Sequence, residues 1–203
     1  PMKKFFTLVL LLGALGGAGY VWFEQSIFKT LLELRDAVEK ADVARVEERA
    51  DLDKFAENAV DFGAALGEVA AKDATGDAGA ALVRGLTDIF RGGVQAQLKP
   101  QVKDEMRATI AEGKFPEVIG PFKPRQGYDA LSDIVALSPT KKRVLIVGTC
   151  EGEPAIAELD FERVPKGPFD LMGTWRAVGM EPSAVKRLAE VCYVGAKKSA
   201  QKR

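Results

Sequence analysis

The chain has no histidine among its 203 residues. That removes the Ser-His-Asp triad, the Cys-His pair, histidine acid/base catalysis, axial haem ligation and every His-containing zinc site. Only two cysteines are present, too few for a disulfide framework or a four-thiolate metal centre. Charge of one sign is not in excess: 29 Lys+Arg balance 29 Asp+Glu, whereas a nucleic-acid binder usually carries a basic surplus. No G-x-x-x-x-G-K-[ST] loop occurs, and the glycines at 76, 79, 92 and 93 stand between helical segments rather than after a strand. Phosphate-loop and dinucleotide folds are therefore not expected, and no cofactor is implied. Hydrophobic residues reach 47%, enough for a sizeable core, so a disordered chain is excluded as well.

What is present begins with a long apolar run. Lys3 and Lys4 precede residues 5–23, FFTLVLLLGALGGAGYVWF, which carry no charge. At 1.5 Å per residue this run would extend roughly 28 Å, close to the ~30 Å hydrocarbon core of a bilayer. A cleaved signal peptide and an uncleaved anchor both fit, with Gly16 and Ala18 as small residues before a cut. The interface pair Tyr20 and Trp22 keeps the run apolar to its end and favours the anchor. The two lysines place the N-terminus in the cytoplasm and residues 24–203 on the outer side of the inner membrane, as one extracytoplasmic domain. Gly13 and Gly17, echoed by Ala14 and Ala18, have the four-residue spacing that lets a second helix approach closely in lipid.

From residue 24 to about 113 the apolar spacing is helical. Leu31, Leu34, Ala37 and Val38 share one face; Val43 and Val46 follow a capping Asp42; Phe55, Ala59, Phe62, Leu66 and Val69 follow Asp51. Residues 72–79, KDATGDAG, read as a turn. Leu82, Leu86, Ile89 and Phe90 define a fourth helix, Gly92-Gly93 a break, and Pro100 the opening or kink of a segment carrying Val102, Met106 and Ile110. A Pro/Gly-rich connection at 115–127 precedes β-type runs at 133–137, 143–149, 155–164 and 174–180, and Pro182 opens a last helix to about 194. The expected architecture is α+β: an N-terminal transmembrane helix, a helical half, then an antiparallel sheet of three to four strands with a final helix.

The stretch 34–58, LRDAVEKADVARVEERADLDKFAEN, resembles the bacterial domain-of-unknown-function family numbered 2939. Ala37, Asp42, Val46 and Asp51 fall in step with that family's pattern, Phe55 and Ala56 take its closing pair, and Ala41 stands where the family carries Gly. The late GTWR at 173–176 matches its habit of a tryptophan in the final strands. The resemblance implies an apolar anchor followed by a short helix pair, and no assigned reaction.

Candidate chemistry is sparse. Glu47, Glu48, Asp51 and Asp53 form one acidic group and Glu151, Glu153, Glu158 and Asp160 another. Glu158 and Asp160 share a strand face opposite Ala157, Leu159 and Phe161, which predicts a solvated pair rather than a catalytic one. Cys150 and Cys192 are either bridged or two buried thiols, and an oxidising compartment would allow the bridge. The basic end, with Lys197, Lys198, Lys202 and Arg203, suits anionic lipid or an acidic partner. Three functions follow: a non-catalytic anchored module acting through protein contacts, an accessory subunit of a larger membrane complex, or a small-ligand binder. A hydrolase on Glu151 and Glu153 is the weakest fit. The partners expected are the membrane and another protein, not nucleic acid.

Overall fold

The structure is a computed structural model and describes residues 26–115, 121–125, 130–165 and 173–201. The apolar run with Gly13, Ala14, Gly17, Ala18, Tyr20 and Trp22 lies outside these. Among the described residues no helix is long and apolar enough to cross a membrane.

Helix α1, Ile27–Glu39, starts at Ser26, whose hydroxyl accepts the Lys29 N–H at 3.3 Å. It buries Ile27, Thr30, Ala37 and Val38. Asp42 caps α2, Val43–Arg49, by accepting the Arg45 N–H at 3.0 Å, and Asp51 caps α3, Leu52–Ala111, by accepting the Lys54 N–H at 3.2 Å. Both aspartates are thus helix caps, as their position before apolar-periodic segments predicts.

Helix α3, Leu52–Ala111, is a helical hairpin: Gly76, at φ 74° and ψ −164°, is its one non-helical residue. An L side chain is disfavoured at that φ, so glycine makes the reversal possible within a single residue. Cross-arm pairs converge on it: Asp53–Lys103 at 2.6 Å, Asp61–Gln95 at 3.1 Å and Glu68–Arg84 at 3.1 Å. The expected break at Gly92-Gly93 does not occur, and the helix also runs through Pro100. Two glycines cost about 2 kcal/mol of helix propensity; pairing to the facing arm at Gln95 and Lys103 holds the segment helical across them.

Five strands follow, all antiparallel: β1, Phe122–Pro124; β2, Leu131–Ser138; β3, Lys141–Cys150; β4, Glu153–Val164; and β5, Thr174–Gly179. The order is β1-β3-β4-β5, with β2 sharing the β1 side of β3. This is the expected meander plus one strand, β1, drawn from the stretch read as a loop. Short connections bring successive strands together, and only the antiparallel arrangement permits that. The inner face presents Val144, Cys150, Ala155, Ala157, Phe161, Trp175 and Ala177, all buried beneath the helices. The free edge of β5 is covered by the segment after α2 and by α1: Ala50 bridges Ala177, the Asp51 N–H donates to the Ala177 carbonyl at 2.8 Å, and from α1 the Thr30 hydroxyl donates to the Trp175 carbonyl at 3.3 Å.

Helix α4, Pro182–Gln201, runs past the expected end at 194 and packs along α3 and the open half of β4. It buries Ala184, Val185, Leu188, Ala189, Cys192 and Gly195. A side chain at Gly195 would strike the Cys150 carbonyl, so glycine there sets how closely α4 approaches β3. That approach joins Cys150 to Cys192 in a disulfide, with Cα atoms 4.9 Å apart.

Candidate interaction surface

The second arm of α3, residues 77–111, is amphipathic in the unexpected sense. Its polar side faces its own protein: Arg84 donates to Glu68, Gln95 to Asp61 and Lys103 to Asp53, and Lys99 lies 4.0 Å from Glu57. Ala80 is buried on that side. The opposite side carries Ala78, Leu82, Gly85, Leu86, Ile89, Gly92, Gly93 and Ala96, and every one of them is exposed. Leu82 is 64% exposed, Leu86 48% and Ile89 74%. At 100° per residue these positions fill an arc of about 120°, the width of a face that normally meets a core. Nothing stands within 4 Å of where a Cβ would project at Gly85, Gly92 or Gly93. Each such glycine costs about 1 kcal/mol against alanine, and none of the three gains a close approach to the described chain in return.

The spacing of Leu82, Leu86 and Ile89 identifies the helix, but the same spacing would serve an inward face. The missed signal is the opposite side: Arg84, Gln95 and Lys99 have the carboxylates of Glu68, Asp61 and Glu57 waiting on the first arm, so polar pairing joins the two arms behind this face, and apolar burial resumes at Met106 and Ile110.

The acidic group on β4 is not solvent-facing. Asp160 is 3% exposed. Arg143, directly opposite on β3, grips it through Nε–Oδ1 at 2.7 Å and Nη2–Oδ2 at 3.1 Å, and also reaches Glu158 at 3.1 Å and Glu181 at 3.0 Å. Arg187 closes the network on Glu158 at 2.5 Å. The sheet curls there, and the start of α4 brings Glu181 and Arg187 over the strand, which alternation along β4 alone does not reveal. The Asp160 hydrogen bond is the chief cause that holds the Arg143 guanidinium still more firmly protonated than usual. A carboxylate held by two hydrogen bonds to one guanidinium is a structural pair, and both of its oxygens are occupied. Glu151 lies in the turn between β3 and β4 at φ 50°, and Glu153 pairs with Lys198 at 2.9 Å.

Near the hairpin bend a cleft of about 300 Å³ is lined by Glu68, Lys72, Asp77, Arg84, Lys186 and Glu190. Glu68 accepts from Arg84 and from Lys186, and the Arg84 bond, then Lys186, draws its carboxyl below the usual range against the cost of burial. Three acids and three bases leave the cleft without a net charge to select an ionic ligand. Among the described residues no cluster of Cys, Asp and Glu is arranged to hold a metal ion.

The basic end is engaged within the chain as far as it is described. Lys197 meets both carboxylate oxygens of Asp73 at 2.7 Å, joined by the Tyr193 hydroxyl at 3.0 Å, and these bonds lower the Asp73 carboxyl. Lys198 holds Glu153. Lys202 and Arg203 lie outside the described residues.

No protein-family model, no curated protein and no solved structure matches the chain.

Proposed function

We propose that the chain is a non-catalytic, membrane-anchored extracytoplasmic module that works through protein–protein contacts. The observation that carries this is the outward apolar face at 78–96: a helix that spends its polar side on its own protein leaves the other side for a partner. The Cys150–Cys192 bridge supports an oxidising compartment. The charge asymmetry around residues 5–23 supports an N-terminus in the cytoplasm and a domain outside it. The resemblance around 37–51 agrees, since that family pairs an anchor with no assigned reaction. In this reading Gly13 and Gly17, with Ala14 and Ala18, form the lateral contact of the anchor, and Tyr20 and Trp22 lie at its outer interface.

The test is native purification of the tagged chain in mild detergent, with mass spectrometry of everything that co-elutes and a periplasmic alkaline-phosphatase fusion after residue 201. An active fusion with a constant set of co-eluting copies or partners is expected. An inactive fusion would remove the localisation; turnover of any substrate abolished by Glu151→Gln with Glu153→Gln would remove the non-catalytic reading. A stoichiometric set of other membrane proteins would make the chain an accessory subunit. Gly13→Leu with Gly17→Leu is expected to loosen lateral association while the outer domain keeps its melting temperature.

A further inference from the structure

We infer that Lys142 and Arg163, set against the Trp175 ring, form a binding site for the phosphate of an anionic phospholipid headgroup in the membrane that carries the chain. The inference rests on the anchored reading, because the anchor decides which surface reaches the lipid.

The site begins as an imbalance of charge. Lys142 Nζ lies 5.0 Å from the centre of the Trp175 ring, and the Arg163 guanidinium carbon 4.9 Å from it. Both cations are half-buried and project from the same face of the sheet, Lys142 opposite Phe161 and Arg163 opposite Trp175. Val144, Phe161 and Trp175, their neighbours on that face, are buried and carry no charge. Every other half-buried Lys or Arg among the described side chains has a carboxylate within 4.0 Å. Lys142 and Arg163 have none.

The ring attracts both cations but cannot neutralise them. The Nε–H of Arg163 is buried without an acceptor, and a buried donor left unpaired is costly. The two charges also lie no more than about 10 Å apart across one side chain, in surroundings that screen them poorly. An anion shared between them removes the repulsion and supplies the missing acceptor. Phosphate suits the pair: a guanidinium presents parallel N–H donors that match two phosphate oxygens, and an ammonium adds a compact second charge.

Position selects the lipid as the source of that phosphate. Helix α1 begins at Ile27, four residues after the apolar run ends at Phe23, and four residues reach at most ~14 Å. Thr30, at the first turn of α1, bonds the Trp175 carbonyl at 3.3 Å. The ring and its two cations therefore stand beside the point where the chain leaves the bilayer, whose headgroup layer is roughly 5–8 Å deep on each side. The first turn of α1 holds no acid, so the positive end of its dipole adds to the same field.

The experiment is thermal unfolding of the full-length chain in two kinds of vesicle, phosphatidylcholine alone and phosphatidylcholine with about a third phosphatidylglycerol. Melting is expected about 3 °C or more higher with the anionic lipid, and that rise should shrink at high salt. Lys142→Gln with Arg163→Gln should abolish the rise. Each variant is compared with itself in the two vesicles, so a general loss of stability does not enter. Should the double variant not fold, Lys142→Gln alone is expected to lose about half of the rise, and Lys142→Arg to keep it. Lys123→Gln with Arg125→Gln is the control for net charge. Those two exposed cations have no carboxylate partner either, and β1 places them beside Gly148–Cys150, about 20 Å along β3 from Lys142. That variant should keep the full rise.

No rise in the natural chain, a rise that survives loss of both cations, or one lost equally in the β1 control overturns the inference. So does inorganic phosphate that raises melting in phosphatidylcholine vesicles as far as the anionic lipid does, since the site would then serve a soluble anion. Alkaline washing of the membranes reads the anchor separately. A chain that washes out removes the anchored reading, and flotation of the chain with the two vesicles then decides the site. Flotation with anionic vesicles alone, lost in the double variant, keeps it, and no flotation overturns it.

Discussion

Asn58 holds Met180 by both ends of its amide. Its Nδ2 donates to the Met180 carbonyl at 3.0 Å, and the Met180 N–H donates to its Oδ1 at 2.7 Å. One side chain on the first hairpin arm thereby completes the backbone where β5 hands over to α4. Asn58→Ala leaves a largely buried N–H and carbonyl unpaired and is expected to cost about 2 kcal/mol in urea unfolding. Asn58→Asp keeps the acceptor but sets a carboxylate against the Met180 carbonyl, so it should recover only part of that loss. A stability equal to the natural chain for Asn58→Ala would show that the junction is held elsewhere.

The disulfide closes a separation of 42 residues between fully buried sulfurs. Loop entropy in the unfolded chain then predicts about 4 kcal/mol of stabilisation. Cys150→Ala with Cys192→Ala should lower stability by roughly 2–4 kcal/mol, read by chemical denaturation. In the natural chain, thiol trapping should detect no free cysteine until the domain unfolds. Rapid alkylation of the folded, untreated protein would refute the bridge.

Glu68 ties the second hairpin arm to α4 through Arg84 and Lys186, and its carboxyl is lowered chiefly by Arg84. A depressed carboxyl contributes stability above its unfolded value, near pH 4.3, and loses it as pH falls through the folded value. Glu68→Gln should therefore cost about 1–2 kcal/mol at pH 7. The gap between natural chain and variant should begin to narrow below about pH 4.3 and close as pH falls through the lowered folded value. A gap that does not narrow on acidification would mean that packing, not charge, is lost.

Asp160 is the most enclosed of the described carboxylates, and Arg143 is its partner. Asp160→Ala strands the guanidinium and is expected to cost about 3–5 kcal/mol. Arg143→Met with Asp160→Leu removes both charges and should restore most of that stability. If the double variant is as unstable as the single one, the pair does more than neutralise itself.

Ala41 sits at φ 57° between α1 and α2, where a left-handed backbone costs an L residue about 1–2 kcal/mol. Ala41→Gly relieves this and loses part of the gain to unfolded-chain entropy. A net stabilisation of about 0.5–1 kcal/mol is expected, seen as a rise of ~1–3 °C in melting temperature. A fall would place the strain outside residue 41.

Local chemistry and tertiary contact divide the outcome between them. Ser26, Asp42 and Asp51 act on N–H groups three residues away, and Gly76 on its own φ. Such effects need no distant partner, so the two aspartate caps and the bend within 72–79 were legible, as was the continuous apolar run of β3. The pairing of the strands followed from connections too short for crossovers.

Gly92 and Gly93 show where local reading ends. Their propensity argues for a break, yet the helix continues because Asp61 and Asp53 on the facing arm engage Gln95 and Lys103 across them. Asp160 shows the same limit, since only the arrival of Glu181 and Arg187 after β5 encloses its strand face. Composition and short-range spacing determined the α+β class, the caps, the hairpin turn and the absence of histidine chemistry, because each depends on residues within one or two turns of chain. Only the tertiary structure decided that Cys150 meets Cys192 and that the Leu82–Leu86–Ile89 side of its helix faces outward. The first depends on how closely α4 approaches β3 over Gly195; the second depends on which of two helix faces finds polar partners 16 to 50 residues away, and periodicity alone weighs the two faces equally.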